Sequence, residues 1–324
     1  MFGIPLEILA LPPLALAAGV DLYLTLLFIG AAPTTGLWDS PLPGALGDLD
    51  SPSVLIMVGT FYILEFAAER FPATALAWNA FHAIIRPLSG ALLALLLLDG
   101  HPIPLVALGA LGGGLLASIA HGVRSGSAVL RWLGAGIAPS VLLFSLAEDV
   151  LVLGIASLTL DAPAWAFGCA VIAALALAWE GPSLLRAFAY AVRLAVTHMF
   201  QTLGQSRWQG PEDMPAWVSD ALEDDDQLAP GGALRGTRAG AWRLGGTRRF
   251  LTGWVVVRGG APVFVHRKRR TTKSVDLGLL ETSEVLDHDL FRRIDLAGDG
   301  FSAFLLFSSG GPSTEGLRAE FLGA

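Results

Sequence analysis

Long apolar runs fill the first 200 residues, and they restrict the fold of this chain more than any other feature. A helix that crosses about 30 Å of hydrocarbon needs about 20 mostly apolar residues. Six stretches meet this requirement: residues 10–31, 53–69, 78–98, 103–122, 137–159 and 163–181. Only 15% of the chain is charged, whereas soluble domains average about 25%. The sequence therefore predicts an all-α polytopic membrane bundle of about six transmembrane helices, within residues 1–204.

The basic residues of this region predict its orientation, because short cytoplasmic loops are enriched in Lys and Arg. Predicted loops one, three and five contain acids but no Lys or Arg. The basic residues outside the six runs lie in predicted loops two and four and after the sixth span: Arg70, Arg124, Arg131, Arg186 and Arg193. This pattern predicts a multi-pass protein of the cytoplasmic (inner) membrane with both termini in the cytoplasm.

The segment of residues 184–200 differs from the six apolar runs. Arg186 and Arg193 are seven residues apart and share one helical face. An apolar helix with a cationic face is typical of the membrane interface. We therefore expect the membrane domain to end in an amphipathic interfacial helix rather than in a seventh span.

Ionisable residues inside the apolar runs are the candidate site, because each costs about 2.5–3.5 kcal/mol at a helix centre. The set is Asp21, Glu65, Glu69, His82, Arg86, Glu148 and Asp149. Four-residue spacing places Glu65 with Glu69 on one face of span two, and His82 with Arg86 on one face of span three. Spans two and three form a hairpin, so the acid pair can face the basic pair. Such a cluster serves either ion passage or simply the cohesion of the hairpin.

The adjacent acids of span five are harder to explain as one neutralised cluster. Neighbouring residues of a helix point about 100° apart, so Glu148 and Asp149 cannot both face one partner. Pro139 follows Gly134 and Gly136, and this predicts that the fifth helix breaks or begins there. A broken helix beside buried acids is typical of ion sites in transporters.

The distribution of acids and glycines indicates an inverted repeat of three spans per half. An odd number of crossings reverses the second half relative to the first. Spans two and five both carry acids, and spans one and four carry glycine in mid-run, at Gly19 and Gly112–Gly114. The alternative is ordinary close packing through small residues. Gly109, Gly113 and Ala117 lie on one face of span four and permit helix pairing within the chain or in a homo-oligomer.

The composition changes after residue 204, which indicates a second domain. Residues 205–230 contain Gly, Pro and a run of four acids at 223–226, so they are interpreted as a linker. Residues 249–257 and 262–266 predict two strands joined by a glycine turn, and residues 301–307 predict another. We expect residues 231–324 to form a small β-rich cytoplasmic domain, either a sandwich or a partly open barrel.

A cationic run follows the second predicted strand. It consists of Arg267, Lys268, Arg269, Arg270 and, nearby, Lys273. Each basic residue near an anionic leaflet can contribute about 1 kcal/mol to membrane binding, so anionic lipid head groups are candidate partners. The alternative is a solvated strand end, balanced by acids such as Asp276 and Glu281.

Other function classes find little support in the sequence. The net charge is −7, which argues against a nucleic-acid partner. The six histidines are scattered without the short spacings of a zinc site, and the chain has one cysteine. No arrangement indicates nucleophilic catalysis. We therefore expect no metal, no cofactor, no catalytic residues and no enzymatic activity.

Four motifs together resemble one bacterial membrane family. They are Glu65-x-x-x-Glu69-Arg70-x-Pro72, His82-x-x-x-Arg86-Pro87-x-x-Gly90, Ala120-His121-x-x-Arg124-x-x-Ser127 and Ser145-x-x-Glu148-Asp149. Over about residues 14–185 the chain resembles the family catalogued as domain-of-unknown-function 4126. The resemblance implies a membrane fold and no established activity.

Two functions remain open from the sequence. The first is a small-solute or ion transporter, or a channel, with its pathway between two three-helix halves. There the five acids would carry protons or cations, and His82 and Arg86 would act as counter-charges. The second is a non-transporting scaffold that anchors a lipid- or protein-binding β-domain in the cytoplasm, in which the buried charges only hold the helices together.

Overall fold

The computed structural model describes residues 5–39, 42–133, 141–199, 208–223, 234–247, 249–258, 260–268, 271–278, 280–288, 291–298 and 301–322. The chain divides into two compact units, Met1–Leu185 and Arg186–Ala324. This division falls earlier than the predicted end of the membrane domain at residue 204. It falls inside a helix, because the described chain continues helically past Leu185.

The first unit is helical throughout its regular structure. The helices of the described chain up to residue 199 are α1 Leu6–Val20, α2 Leu22–Thr34, α3 Pro52–Ala68, α4 Pro72–Leu97, α5 Ile103–Trp132, α6 Val141–Asp161 and α7 Pro163–Met199. Four segments are long and apolar enough to cross a membrane: Thr74–Leu97, Ile103–Trp132, Leu143–Asp161 and Pro163–His198. These four correspond to the predicted third to sixth spans.

The predicted first and second spans differ from these four. The first span is not continuous, because the chain leaves the helix at Asp21, and α1 and α2 have 15 and 13 residues. The second span corresponds to α3, which has 17 residues between Pro52 and the turn before Pro72. Each of the three helices α1, α2 and α3 is shorter than the roughly 20 residues that usually span hydrocarbon.

The predicted interfacial helix is also different in the structure. Residues 184–199 are not a separate element, since α7 continues through Pro182 to Met199 over 37 residues. A helix of this length measures about 55 Å at 1.5 Å per residue. It is therefore about 25 Å longer than the hydrocarbon thickness of about 30 Å.

Small residues allow the helices of the first unit to pack closely. A methyl group at Gly90 of α4 would overlap the carbonyl oxygen of Gly113 in α5. A methyl group at Gly19 of α1 would lie 2.6 Å from the carbonyl oxygen of Ala117. The predicted small face of span four is thus occupied within the chain, by α1 and α4. Many large apolar side chains face outward instead, including Leu111 and Leu175.

The second unit contains a seven-stranded antiparallel sheet that forms a half-barrel. Its strands are β1 Arg235–Trp242, β2 Phe250–Arg258, β3 Ala261–Lys268, β4 Thr271–Asp276, β5 Glu281–Asp287, β6 Phe291–Gly298 and β7 Phe301–Ser308. The strand order is β4-β3-β2-β1-β7-β6-β5. The predicted hairpin is confirmed as β2 and β3, where Gly260 has a positive φ of 85° in the turn. The strand predicted at 301–307 is confirmed as β7.

Helices cover both faces of the central strands. Alternate residues of a strand point to opposite faces. Val255 belongs to the core that includes Leu317 of α9 (Thr314–Leu322), whereas Trp254 and Val256 pack with Val218 of α8 (Ala216–Glu223). Trp254, Val255 and Val256 belong to β2. Burial on both faces explains why β2 contains an almost continuous apolar run.

The interpretation of residues 205–230 as a linker is wrong for residues 208–223. Gln209 pairs with Gly236 of β1, and Met214, Val218 and Leu222 of the α8 region are buried. Those three residues recur every four positions, which is the spacing of one helical face. The neighbouring acids concealed this pattern in the sequence. Residues 224–230 lie outside the described residues.

Candidate functional site

The break between α1 and α2 lies at Asp21, whose backbone is extended with φ −139° and ψ 103°. Asp21 is 3% exposed. One carboxylate oxygen accepts a hydrogen bond of 2.9 Å from the backbone N–H of Leu24. Asp21 is therefore the N-cap of α2, and its side chain accepts a hydrogen bond from one of the N–H groups that a helix start leaves unpaired.

Arg86 of α4 binds the other side of the break. Its guanidinium donates to the carbonyl oxygen of Gly19 at 2.6 Å and to that of Val20, the last carbonyls of α1. The same guanidinium donates to Glu65 Oε1 of α3. Arg86 is fully buried. A cation at the C-terminal carbonyls of a helix is favourable, because this end carries partial negative charge.

Arg124 of α5 is the centre of the charged network. Its guanidinium contacts three carboxylates: Glu65 Oε1 at 3.2 Å, Glu69 Oε1 at 2.7 Å and Glu148 Oε2 at 2.8 Å. Five donors in a rigid plane allow an arginine to bind several carboxylates at once. Arg124 therefore connects α3, α5 and α6 by charge-assisted hydrogen bonds.

Glu148 and Asp149 face different partners, as their adjacent positions on α6 require. Glu148 contacts Arg124 and, at 3.6 Å, Arg131. Asp149 instead accepts a hydrogen bond of 3.0 Å from the hydroxyl of Tyr62 in α3. Among the described residues no ion pair to an arginine joins Asp21 or Asp149. These two carboxylates are held by neutral donors alone.

The predicted pairing of acids and bases across the hairpin holds for Arg86 with Glu65 but not for His82. The Nδ1 atom of His82 lies 2.9 Å from the carbonyl oxygen of Trp78, which can only accept, so Nδ1 carries the hydrogen. In a neutral ring Nε2 is then the acceptor, and it lies 2.8 Å from the hydroxyl of Tyr23. His82 thus binds a tyrosine, while Glu69 turns to Arg124.

A small cavity adjoins this network. Its volume is about 60 Å³, and a water molecule takes up about 30 Å³ in the liquid. The polar residues that line it are Glu69, Asn79, Arg124, Ser125, Arg131, Ser145 and Glu148. By these volumes the cavity has room for about two water molecules beside the ion pairs of Arg124.

One oxygen of the network has no hydrogen-bond partner in the described part of the chain. Glu65 Oε2 is buried and unpaired, although Glu65 Oε1 receives two arginines. An unpaired buried carboxylate oxygen is costly unless it takes up a proton or a water molecule.

Sequence reasoning placed two residues of the network wrongly and did not assign a role to two others. Arg124 and Arg131 were predicted in a cytoplasmic loop, but both belong to α5. Gly122 and Gly126 resemble loop residues, yet here they let α5 approach Leu185 and Leu184. Tyr62 and Tyr23 gave no signal, because a tyrosine in an apolar run is ordinary. The predicted break at Pro139 lies outside the described residues.

The basic run of the second unit is only partly described. Arg267 and Lys273 are exposed, nothing is described of the Lys268 side chain, and Arg269 and Arg270 lie outside the described residues. Arg267 pairs with Thr272, and Lys273 pairs with His266. Because paired residues share a face and neighbours alternate, Arg267 and Lys273 point to opposite faces of the β3–β4 hairpin.

These observations define a class of protein before any relative is considered. It is an α-helical chain with four helices able to cross a membrane, a charged network in its interior and a β half-barrel after it. The chain belongs to the family described as domain of unknown function DUF4126, whose model matches residues 8–181, more than half of its 324 residues. The resemblance inferred from the four motifs is thereby confirmed. No curated protein matches the chain.

Proposed function

We propose that the helical unit is an ion or small-solute transporter, or a channel, whose buried carboxylates carry protons or other cations. The pathway runs between two three-span halves, α1–α4 and α5–α7. Asp21, Glu65 and Glu69 belong to the first half, and Glu148 and Asp149 to the second. Arg124 of the second half binds two acids of the first, so the charged groups meet where the halves adjoin.

The charge inventory of the network carries this proposal. The described helices bring together five carboxylates and three arginines: Asp21, Glu65, Glu69, Glu148 and Asp149 with Arg86, Arg124 and Arg131. Two carboxylates therefore exceed the available arginines. Uncompensated charge in an apolar interior is expensive, so this excess favours the uptake of protons or cations.

The break at Asp21 supports the same function. Discontinuous helices place backbone carbonyls and helix ends at the ion and substrate sites of many transporters. Here the carbonyls of Gly19 and Val20 end α1 at the same position where the Asp21 carboxylate begins α2. The Asp21 carboxylate and the unpaired oxygen of Glu65 suit a cation better than an anion.

The experiment is proton and cation flux in proteoliposomes under an imposed pH gradient and membrane potential. Asp21→Asn keeps a side-chain oxygen that caps α2 but removes the charge. Asp149→Asn likewise keeps an acceptor for Tyr62. Both variants should retain the stability of the parent chain and lose flux. Asp161→Asn, an exposed acid at the end of α6, is the matched control and should leave flux unchanged.

Two results would contradict the proposal. One is the absence of flux of any ion by the intact chain. The other is that Asp21→Asn and Asp149→Asn show the same flux as the control Asp161→Asn.

A second candidate is the non-transporting scaffold, which anchors the β unit. It is favoured by the arginine contacts of Glu65, Glu69 and Glu148, because charges that form ion pairs can serve cohesion alone. In that case Glu148→Gln should lower the melting temperature of a chain that shows no flux at all. The flux assay therefore separates the two candidates.

Location and partners remain part of the proposal. We place the helices in the cytoplasmic membrane with both termini inside, because Arg70, Arg186 and Arg193 still follow the positive-inside rule. Cysteine accessibility at residues near each end tests this orientation. Contact of the basic run around Arg267 with anionic lipid, and assembly into a homo-oligomer, are also expectations that await vesicle binding and mass measurements.

A further inference from the structure

The second unit contains a cavity of about 260 Å³, at the point where two neighbouring strands separate. β1 and β7 pair at only three positions, which end at Gly240 with Leu306. Continued pairing would place Arg238 opposite Ser308, but the ladder stops before them. Arg238 and Ser308 therefore line an opening between the two strands.

Other parts of the same unit close the ends of this opening. The hydroxyl of Tyr190 donates a hydrogen bond of 2.8 Å to the carbonyl oxygen of Leu306, where the β1–β7 ladder stops. Gln209 pairs with Gly236 through two backbone hydrogen bonds of 2.8 and 2.9 Å, at the other end. The gap between these two closures leaves Thr237 and Arg238 of β1 facing the cavity.

The lining of the cavity is cationic and rich in hydroxyl groups. Its polar residues are Tyr190, Arg193, Thr197, Gln209, Thr237, Arg238 and Ser308, and no carboxylate is among them. Neither Arg193 nor Arg238 forms an ion pair with an acid of the described chain. The Ser308 hydroxyl is buried and has no hydrogen-bond partner there. Buried polar groups are normally paired, and within the described residues this hydroxyl is not.

We propose that this cavity binds a phosphate group, held between the guanidinium groups of Arg193 and Arg238 with the Ser308 hydroxyl as a further donor. Arginine is the usual ligand of phosphate, because its planar donors match two phosphate oxygens at once. Thr197 of α7, on the same lining, offers a further hydroxyl donor.

Electrostatics and size agree with this ligand. Burial and the neighbouring charge of Arg193 lower the pKa of Arg238, and a bound anion would relieve this repulsion. Pockets for drug-sized ligands are usually about 300–1,000 Å³. A cavity of about 260 Å³ is suited to a phosphate with a small ester group rather than to a nucleotide.

A free phosphate compound and a lipid head group share this chemistry. The experiment must therefore distinguish these two sources.

The first arm measures binding of inorganic phosphate and glycerol 3-phosphate to the full chain in detergent by titration calorimetry. Arg193→Gln and Arg238→Gln each remove a charged contact and should weaken binding about tenfold or more. Arg318→Gln, an exposed arginine on α9, is the matched control and should bind as the parent chain does. Ser308→Ala removes an unpaired hydroxyl, so it should lower affinity without loss of stability.

The second arm repeats the titration in nanodiscs of phosphatidylcholine alone and of phosphatidylcholine with phosphatidic acid. Equal phosphate affinity in both nanodiscs assigns the site to a soluble phosphate compound. Loss of phosphate binding in the nanodiscs that contain phosphatidic acid assigns the site to the lipid head group. Neither Arg193→Gln nor Arg238→Gln should restore phosphate binding there. Absence of phosphate binding in detergent and in phosphatidylcholine, or binding that Arg193→Gln, Arg238→Gln and Ser308→Ala all leave unchanged, overturns the proposal.

Discussion

Both units bury apolar side chains, but among the described residues the buried acids and arginines lie in the helical unit. In the helical unit Arg86, Glu65 and Asp21 are almost completely buried, while Leu111 and Leu175 are largely exposed. In the β unit Val255, Phe264 and Leu305 are fully buried. Apolar burial drives folding in water, but lipid is as apolar as leucine and offers no such drive between helices. If lipid surrounds the four long apolar helices, close packing and polar contacts must hold them together.

Removal of Arg124 should break this comparison most strongly. Arg124→Leu leaves three carboxylates facing one another without their shared cation. Loss of one partner from a buried ion pair costs about 3–5 kcal/mol, and the unfolding free energy of the full chain in mixed micelles should fall by that amount. Arg70→Leu, exposed at the end of α3, should change it by less than about 0.5 kcal/mol. Equal effects of the two substitutions would show that the network does not hold the helices.

The β unit should instead be sensitive to the loss of apolar volume. Leu305 of β7 is fully buried, so Leu305→Ala should destabilise the β unit by about 2–5 kcal/mol. The measurement is chemical unfolding followed by tryptophan fluorescence, to which Trp242 and Trp254 contribute. Leu322→Ala, the same change at a half-exposed position of α9, should remain within about 0.5 kcal/mol of the parent. Similar losses of stability at both positions would contradict the idea that burial of apolar side chains from water stabilises the β unit.

The outward surface of the helices gives the smallest and sharpest test. Leu175 of α7 is 67% exposed. If lipid surrounds it, Leu175→Arg should cost about 2.5–3.5 kcal/mol in a translocon insertion assay, whereas Leu175→Ala should have little effect. In water the arginine would be harmless. Normal insertion of Leu175→Arg would therefore show that this face of α7 does not contact lipid, and the contrast between the two units would fail.

Much of this architecture follows from the sequence, because hydropathy reports directly on burial in lipid and on strand alternation. The four long apolar helices, the β2–β3 hairpin and the Arg86–Glu65 pair all come from local spacing. The break at Asp21 was missed, since apolar residues surround it on both sides. An aspartate directly before an apolar run is nevertheless an N-cap signal, and it was available in the sequence.

The contacts that depend on distant segments could not be predicted. Arg124 binds Glu65 across 59 residues, and Tyr62 binds Asp149 across 87. Nothing in the local sequence selects these partners, because the choice depends on how the helices pack. The same is true of the cavity between β1 and β7, whose lining comes from α7, β1, β7 and the segment at Gln209.

The break at Asp21 also imposes an order on biogenesis. Neither α1 nor α2 is long enough to settle across the bilayer alone, and between them they present a carboxylate and unpaired carbonyls. The guanidinium that binds those carbonyls belongs to Arg86, 67 residues downstream of Gly19. The arrangement of α1 and α2 is therefore complete only after α4 has been synthesised and has packed against them.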